Sequence, residues 1–187
     1  MLDVDGVLNP WMMPKGELQS GAFRRWQLPV EPGPDERTYT VWLNPLHGKW
    51  LRALDETYEL TWCTTWWRHA EDVAMRVGLP LDLPAVPLPP PPPVDPPGMC
   101  WKTSFVRDYA QGRSVAWLDD DFEPGGGDAR ALTRTDLPDG PPLAGMPPVR
   151  SAMLLTCRPW VGLTRRHVDQ LAEWAEAGCP PEGRAAP

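Results

Sequence analysis

Short apolar segments alternate with longer amphipathic ones along most of this chain, and that alternation restricts the fold more than any other feature of the sequence. The runs YELTWC, SVAWL and SAMLLTC are short and rich in β-forming residues, whereas stretches with helical periodicity lie between and after them. Consecutive strands that are linked through a helix run parallel in one sheet. We therefore predict an α/β fold, a three-layer sandwich around a central, mainly parallel, Rossmann-like sheet.

Local signals indicate where several helices begin and end. Asn44 and Pro45 are typical of an N-cap followed by proline at the first helical position. Thr164 is the expected cap of the last helix, and Gly78 and Gly112 are expected to end two earlier ones. These signals place helices between the predicted strands.

A region of about residues 11–43 is predicted to form a β-hairpin flap after the first strand. Its turn-forming residues surround two β-rich pieces, Phe23–Leu28 and Thr38–Leu43, and the stretch PVEPGPDE between them predicts a loose tip. The flap is too small to fold as a separate cap domain.

A second unusual segment, about residues 80–98, is rich in proline. The five consecutive prolines Pro89–Pro93 favour a stiff polyproline II arm. We interpret the arm as a spacer, with a docking site for an SH3-type partner as the alternative. The chain is predicted to form a single domain over residues 1–178, followed by a disordered tail over residues 179–187.

Charge and cysteine content limit the function classes. The formal net charge of −7 argues against a protein that coats nucleic acid non-specifically, although it leaves room for a local basic patch. The four cysteines are widely spaced with no Cys-x-x-Cys, which favours reduced thiols. No apolar run is long enough to span a membrane, so we expect a cytoplasmic protein without a membrane partner.

Polar residues of one chemical kind follow the predicted strands. In parallel sheets of this type, ligands bind at the carboxyl ends of the strands. The residues expected at that edge are Asp3 and Asp5 after the first strand, Thr64 and Thr65 after the second, Lys102 at a helix start, and Asp119, Asp120 and Asp121 after SVAWL.

This combination of groups suits phosphoryl transfer. Clustered carboxylates without histidine or cysteine neighbours are hard oxygen ligands, which favours Mg²⁺ over zinc. One carboxylate can attack phosphorus and form an acyl phosphate, and a second one two residues along can act as general acid and then base. A hydroxyl and an ammonium group would bind the charged phosphoryl oxygens.

The ordered segments DVDGV, TWCTT, WKTSF and AWLDDD resemble the four motifs of the haloacid dehalogenase (HAD) superfamily. The resemblance implies that Asp3 is the nucleophile, Asp5 the general acid and base, and Lys102 the group that neutralises the phosphoaspartate. Thr64 resembles the hydroxyl of the second motif, with Thr65 as a close alternative. One departure is that only two residues precede Asp3, where the family's first strand carries several apolar residues.

The resemblance also implies a magnesium site. Asp119 and Asp120 resemble the acidic pair that completes the site together with the Asp3 carboxylate and the Asp5 carbonyl. Asp121 is interpreted as a solvated neighbour of this pair.

The absence of a cap resembles the capless class of the superfamily, whose open sites often serve large substrates. DVDGVLNP, TWCTTW and GLTRRHVDQLAEWA further resemble small actinobacterial HAD domains, some of which are joined to RNA-repair proteins. Residues that would then grip a phosphorylated nucleic-acid end or phosphoprotein are Arg24, Arg25 and Trp26 on the flap and Thr65, Trp66, Trp67 and Arg68 beside the second motif. Alternatively, the tryptophans pack the flap onto the body and the arginines are solvated.

Two functions from different classes follow. The first is a Mg²⁺-dependent phosphatase that acts through an aspartyl phosphate on Asp3. The alternative is a catalytically idle HAD-fold interaction module that works through the flap or the proline-rich arm.

Overall fold

The chain folds into a mixed α/β structure, seen here in a computed structural model that describes residues 1–29, 38–90, 92–122, 126–134 and 146–179. Its strands are β1 (Arg24–Pro29), β2 (Thr38–Leu43), β3 (Val115–Asp119) and β4 (Ala152–Thr156). Its helices are α1 (Lys15–Ser20), α2 (Pro45–Arg52), α3 (His69–Val77), α4 (Thr103–Ala110), α5 (Gly127–Thr133) and α6 (Arg165–Glu176). Residues 30–36 of the expected flap tip PVEPGPDE and residues 180–187 of the expected tail lie outside the described residues.

A parallel pair of strands, β3 and β4, forms the regular part of the predicted parallel sheet. The pairing runs from Val115 opposite Ala152 to Asp119 opposite Thr156. Single parallel bridges extend it: Leu2 pairs with Leu118 and with Trp62, and Trp62 pairs with Ala85. The α/β class is therefore confirmed, whereas a full Rossmann-like sheet is not present as regular strands.

The strands expected at the start of the chain and at Tyr58–Cys63 are reduced to these bridges. Leu2 donates its N–H to the Thr61 carbonyl, and the Cys63 N–H returns to the Leu2 carbonyl, each at 2.9 Å. Beyond Trp62, prolines on both sides of Ala85 and Val86 supply no N–H for further pairing.

The two faces of β3 are buried in different hydrophobic clusters. Ala116 and Leu118 pack with residues of α2, α3 and α6, while Val115 and Trp117 pack with residues of α4 and α5. Successive side chains of a strand point to opposite faces, so each face of β3 has its own set of helices. No helix within the described ranges is both long and apolar enough to cross a bilayer.

The predicted hairpin is confirmed. β1 and β2 pair antiparallel from Arg24 opposite Leu43 to Pro29 opposite Thr38. Leu28, Val41 and Leu43 are fully buried in the main core, so the base of the hairpin is part of the packed body. Two short helices were not predicted from the sequence: α1 in the flap region and α5 in the turn-rich stretch after Asp121.

The helix caps follow the local sequence. The Asn44 side chain accepts the Leu46 N–H at the start of α2, and Thr164 caps α6 together with the His167 side chain. Gly78 ends α3 in the left-handed conformation, with φ of +79°. Gln111, rather than Gly112, is the C-cap of α4.

His47 on α2 predicts an acid-sensitive fold. Its ring is 1 % exposed and lies between those of Phe23 and Trp50, and burial lowers its pKa from 6.5 to about 4. The unfolded chain then binds more protons than the folded one between these values, so stability is lost as the pH falls from 6.5 to 4. This difference in pKa corresponds to about 3 kcal/mol in the free energy of unfolding.

We expect the free energy of unfolding of His47→Leu to change less with pH over this range than that of the wild type. Chemical denaturation at pH 7 and pH 4.5 measures the difference. Equal pH dependence of the two proteins would contradict the assignment.

Candidate active site

A buried lysine lies among the carboxylates that the sequence placed at the edge of the sheet. Lys102 Nζ is 2.6 Å from Asp3 Oδ2, 2.9 Å from Asp119 Oδ2 and 3.8 Å from Asp121 Oδ2. Lys102 and Asp3 are at most 5 % exposed, and Asp119 is fully buried. The structure therefore brings the first, third and fourth sequence motifs into direct contact.

The backbone that carries these groups explains how they meet. Asp3 follows the bridge at Leu2, and its N–H donates to the Leu118 carbonyl one residue before Asp119. Lys102 directly precedes α4. The start of α4 is held by the buried Asp128, which accepts the Cys100 N–H at 2.8 Å and the Thr103 hydroxyl at 2.5 Å.

Gly6 completes the Asp-x-Asp-Gly turn for a steric reason. Its φ is +65°, and a Cβ at this position would lie 2.1 Å from the Asp120 carboxyl carbon. Any larger residue would therefore displace Asp120 and strain the backbone. The glycine is required by the close approach of two motifs that are far apart in the sequence.

The site has more negative than positive charge. Oxygens of Asp3, Asp119, Asp120 and Asp121 all lie within 4.8 Å of one another. Burial, and then repulsion from Asp3, raises the pKa of Asp119; burial and the neighbouring Asp121 raise the pKa of Asp120 to about 6. Burial alone would lower the pKa of Lys102, but the carboxylates of Asp3 and Asp119 outweigh it and raise that pKa. Four carboxyl groups around one ammonium are suited to attract a further cation.

Asp121 belongs to this group, although the sequence analysis interpreted it as a solvated neighbour. Its side chain is 59 % exposed, yet its carboxylate faces Lys102 and its N–H donates to Asp119 Oδ1 at 3.1 Å. The run of three consecutive aspartates after a buried strand could have indicated that Asp121 belongs to the cluster as well.

Three tryptophans donate indole N–H groups to site carboxylates, a role that the sequence analysis did not foresee. Trp117 donates to Asp119 Oδ2 at 3.0 Å, Trp66 to Asp5 Oδ2 at 2.9 Å, and Trp11 to Asp120 Oδ2 at 3.3 Å. Trp117 lies two residues before Asp119 on one strand, so the two side chains share a face and their contact could have been predicted. Trp11 and Trp66 reach the site only through the tertiary fold.

Asp5 lies on the side of the cluster that faces a groove. Its Oδ1 accepts the Asn9 side-chain N–H at 2.8 Å, and Asn9 Oδ1 in turn accepts the Trp42 N–H of the hairpin at 3.0 Å. Burial raises the pKa of Asp5, while the hydrogen bonds from Trp66 and Asn9 lower it. Asn9 was not identified from the sequence, and it links the proposed acid to the flap.

The two candidate threonines of the second motif have different surroundings. Thr64 is 5 % exposed, and its hydroxyl accepts the Trp66 N–H at 3.3 Å. Thr65 is half-buried and lines the groove beside Asp5. Thr65 is therefore open to a ligand in the groove, whereas Thr64 is enclosed.

This groove, about 730 Å³ in volume, is bounded by the hairpin and by the segment after the second motif. Its lining includes Asp5, Tyr39, Thr65, Trp66, Trp67 and Arg68. Arg24 and Arg25 are exposed on β1 and are not among the described residues that line it. Trp26 packs toward α3, where the Arg76 guanidinium lies 5.4 Å from its ring centre.

Comparisons of the chain with protein-family models, with curated proteins and with solved structures find no significant match.

The donor set fits a hard divalent cation. Every side chain of the acidic cluster offers oxygen, and none offers nitrogen or sulfur. The Lys102 ammonium donates to Oδ2 of Asp3 and of Asp119. Oδ1 of each carboxylate accepts a backbone N–H instead, from Val4 and from Asp121 respectively. Asp120, which is half-buried, and the exposed Asp121 supply further oxygens without contact closer than 3.8 Å to the ammonium.

Proposed function

We propose that this chain is a Mg²⁺-dependent phosphomonoester hydrolase of the haloacid dehalogenase type that forms an aspartyl phosphate on Asp3. The observation that carries the proposal is the contact of Lys102 with both Asp3 and Asp119 in a buried acidic cluster. A three-layer arrangement of the HAD type is supported by the parallel bridges around Leu2 and by the separate helix sets on the two faces of β3.

In the first step an oxygen of Asp3 attacks phosphorus, and the bond from phosphorus to the leaving-group oxygen breaks. Asp5 gives its proton to that oxygen, so the alcohol leaves neutral. Burial favours the protonated form of Asp5 before the step. The Lys102 ammonium balances the charge that passes from the Asp3 carboxylate to the phosphoryl oxygens.

In the second step water hydrolyses the aspartyl phosphate. Asp5, now ionised, takes a proton from the water. The water oxygen bonds to phosphorus, and the bond between phosphorus and the Asp3 oxygen breaks. The Thr64 hydroxyl accepts the Trp66 N–H, so its own hydrogen is available for a phosphoryl oxygen. Mg²⁺ held by Asp3, Asp120 and their neighbours would supply positive charge to the phosphoryl oxygens in both steps.

The substrate approaches from the groove side, which is open in the described part of the chain. Openness of this kind is compatible with a large substrate, including a nucleic-acid end or a phosphoprotein. It is equally compatible with a small phosphomonoester.

Metal dependence is the direct test of this function. We expect hydrolysis of p-nitrophenyl phosphate with Mg²⁺ and loss of turnover with EDTA, restored by excess Mg²⁺. Circular dichroism of the EDTA-treated protein serves as the control for folding. Turnover that persists in EDTA would contradict the proposal, and no turnover in a folded, Mg²⁺-loaded protein would favour an idle interaction module.

A further inference from the structure

We infer that the groove beside Asp5 binds a planar ring in the leaving group of the substrate, and that the substrate is a nucleotide phosphomonoester. This inference rests on the proposed phosphatase function. It adds a substrate class to the reaction and assigns Tyr39, Trp66 and Trp67 as the residues that recognise it.

The direction of the leaving group follows from the general acid. Asp5 must reach the leaving-group oxygen to protonate it, and Asp5 lines the groove. Trp66 donates its indole N–H to the Asp5 carboxylate at 2.9 Å and lines the same groove. The organic part of the substrate therefore extends from the acid along the ring of Trp66.

The walls of the groove are aromatic surfaces that are open to a ligand. Tyr39 is 48 % exposed and Trp67 is 46 % exposed. The ring centres of Tyr39 and Trp66 lie 5.4 Å apart and are tilted by 49°. A volume of about 730 Å³ is within the usual range for sites of small organic ligands.

Trp67 is held in place at some conformational cost. Its φ is +43°, in the left-handed region that a bulky residue rarely adopts. Its indole N–H donates to the Leu88 carbonyl at 3.3 Å, which fixes the ring beside the proline-rich arm. A strained backbone that presents an exposed ring indicates a use for the ring beyond packing.

The charge of the groove favours a small nucleotide over a long strand. Among the described residues that line the groove, Arg68 is the one arginine, and there is no lysine. The whole chain carries a formal charge of −7. A strand that contacts protein through many phosphates requires several cationic partners, whereas a single nucleotide requires mainly a stacking surface and the phosphate site.

The test compares two substrates that differ at C1 of the ribose, which carries adenine in one and a hydroxyl group in the other. Adenosine 5′-monophosphate and ribose 5-phosphate carry the same primary phosphomonoester, but only the first has a base. We expect kcat/KM to be roughly 10- to 100-fold higher for the nucleotide, because stacking of one base is worth that factor in affinity. A 5′-phosphorylated oligonucleotide, assayed at low and high salt, distinguishes a free nucleotide from a strand end.

Matched variants locate the effect. Trp67→Leu removes a groove ring, and Trp160→Leu removes a ring of similar exposure, 47 %, that is not among the residues lining the groove. Trp67→Leu should reduce the preference for the nucleotide at least about fivefold, because kcat/KM falls more for adenosine 5′-monophosphate than for ribose 5-phosphate. Trp160→Leu should change neither.

Calorimetry with the Asp3→Asn variant separates this inference from the proposed function. If adenosine 5′-monophosphate binds more tightly than ribose 5-phosphate but the wild type hydrolyses neither, the groove's recognition of a base stands, and the phosphatase proposal fails together with the assignment of the base to a leaving group. Equal binding, or equal kcat/KM for the two substrates, would overturn the inference. A strong, salt-sensitive preference for the oligonucleotide would overturn the choice of a small nucleotide.

Discussion

Replacement of Lys102 by methionine is expected to lower phosphatase turnover by at least about 10²- to 10³-fold and to destabilise the fold. The ammonium contacts both Asp3 and Asp119, so its loss would remove the group that balances charge on the phosphoryl oxygens in the proposed reaction. It also leaves two buried carboxylates without their cation, which costs about 3–5 kcal/mol when a buried pair is broken.

The destabilisation of Lys102→Met should depend on pH in a defined direction. Burial and repulsion already raise the pKa of Asp119, so above about pH 4 the folded state binds more protons than the unfolded state. Without the ammonium this effect grows, and the variant should lose most stability at neutral pH and approach the wild type near pH 4. Urea denaturation at both pH values measures the effect.

Lys49→Met is the matched control for this prediction, because Lys49 is exposed on α2. It should leave both turnover and stability nearly unchanged. A Lys102→Met protein that is as stable as the wild type and fully active would show that the buried contacts with Asp3 and Asp119 have no role in the reaction.

Replacement of Asp3 by asparagine is expected to remove turnover, by about 10³-fold or more, while the protein stays folded. The amide keeps the size of the side chain and loses the nucleophilic carboxylate, so no acyl phosphate can form. Lys102 keeps Asp119 as a partner at 2.9 Å, which limits the loss of stability. Initial rates with p-nitrophenyl phosphate and thermal melting curves measure the two effects.

Asp82→Asn, a change of the same kind at an exposed position, is the control. It should be fully active. Asp3→Asn protein that retains Mg²⁺-dependent turnover would exclude Asp3 as the nucleophile. If Asp3→Asn does not fold, Asp3→Glu takes its place, because it keeps the carboxylate but moves it out of position.

Much of the fold was accessible from the sequence because its signals are local. The cap at Asn44, the stop at Gly78 and the periodicity of α6 depend on neighbouring residues, and the structure confirms them. The buried runs of β3 and β4 were equally clear. The expected first strand is reduced to two isolated bridges at Leu2, since the formation of a ladder depends on partners far away in the chain.

The proximity of the site residues followed from a topological rule, whereas their hydrogen bonds did not. Parallel strands bring their carboxyl ends together, which predicted that Asp3 and Asp119 would lie close. No local rule places Trp66 against Asp5 or Trp11 against Asp120, because these contacts join segments 61 and 109 residues apart. The aromatic side of the site therefore became visible only in the folded chain.

The covalent intermediate is the central claim, and chemical trapping tests it most directly. Wild-type protein turning over a phosphomonoester with Mg²⁺ is quenched in acid, treated with borohydride and mapped by peptide mass spectrometry. Borohydride reduces an aspartyl phosphate to homoserine, so we predict homoserine at position 3 and aspartate at position 5. Turnover with an unmodified Asp3, or with the modification at any other residue, would contradict the mechanism.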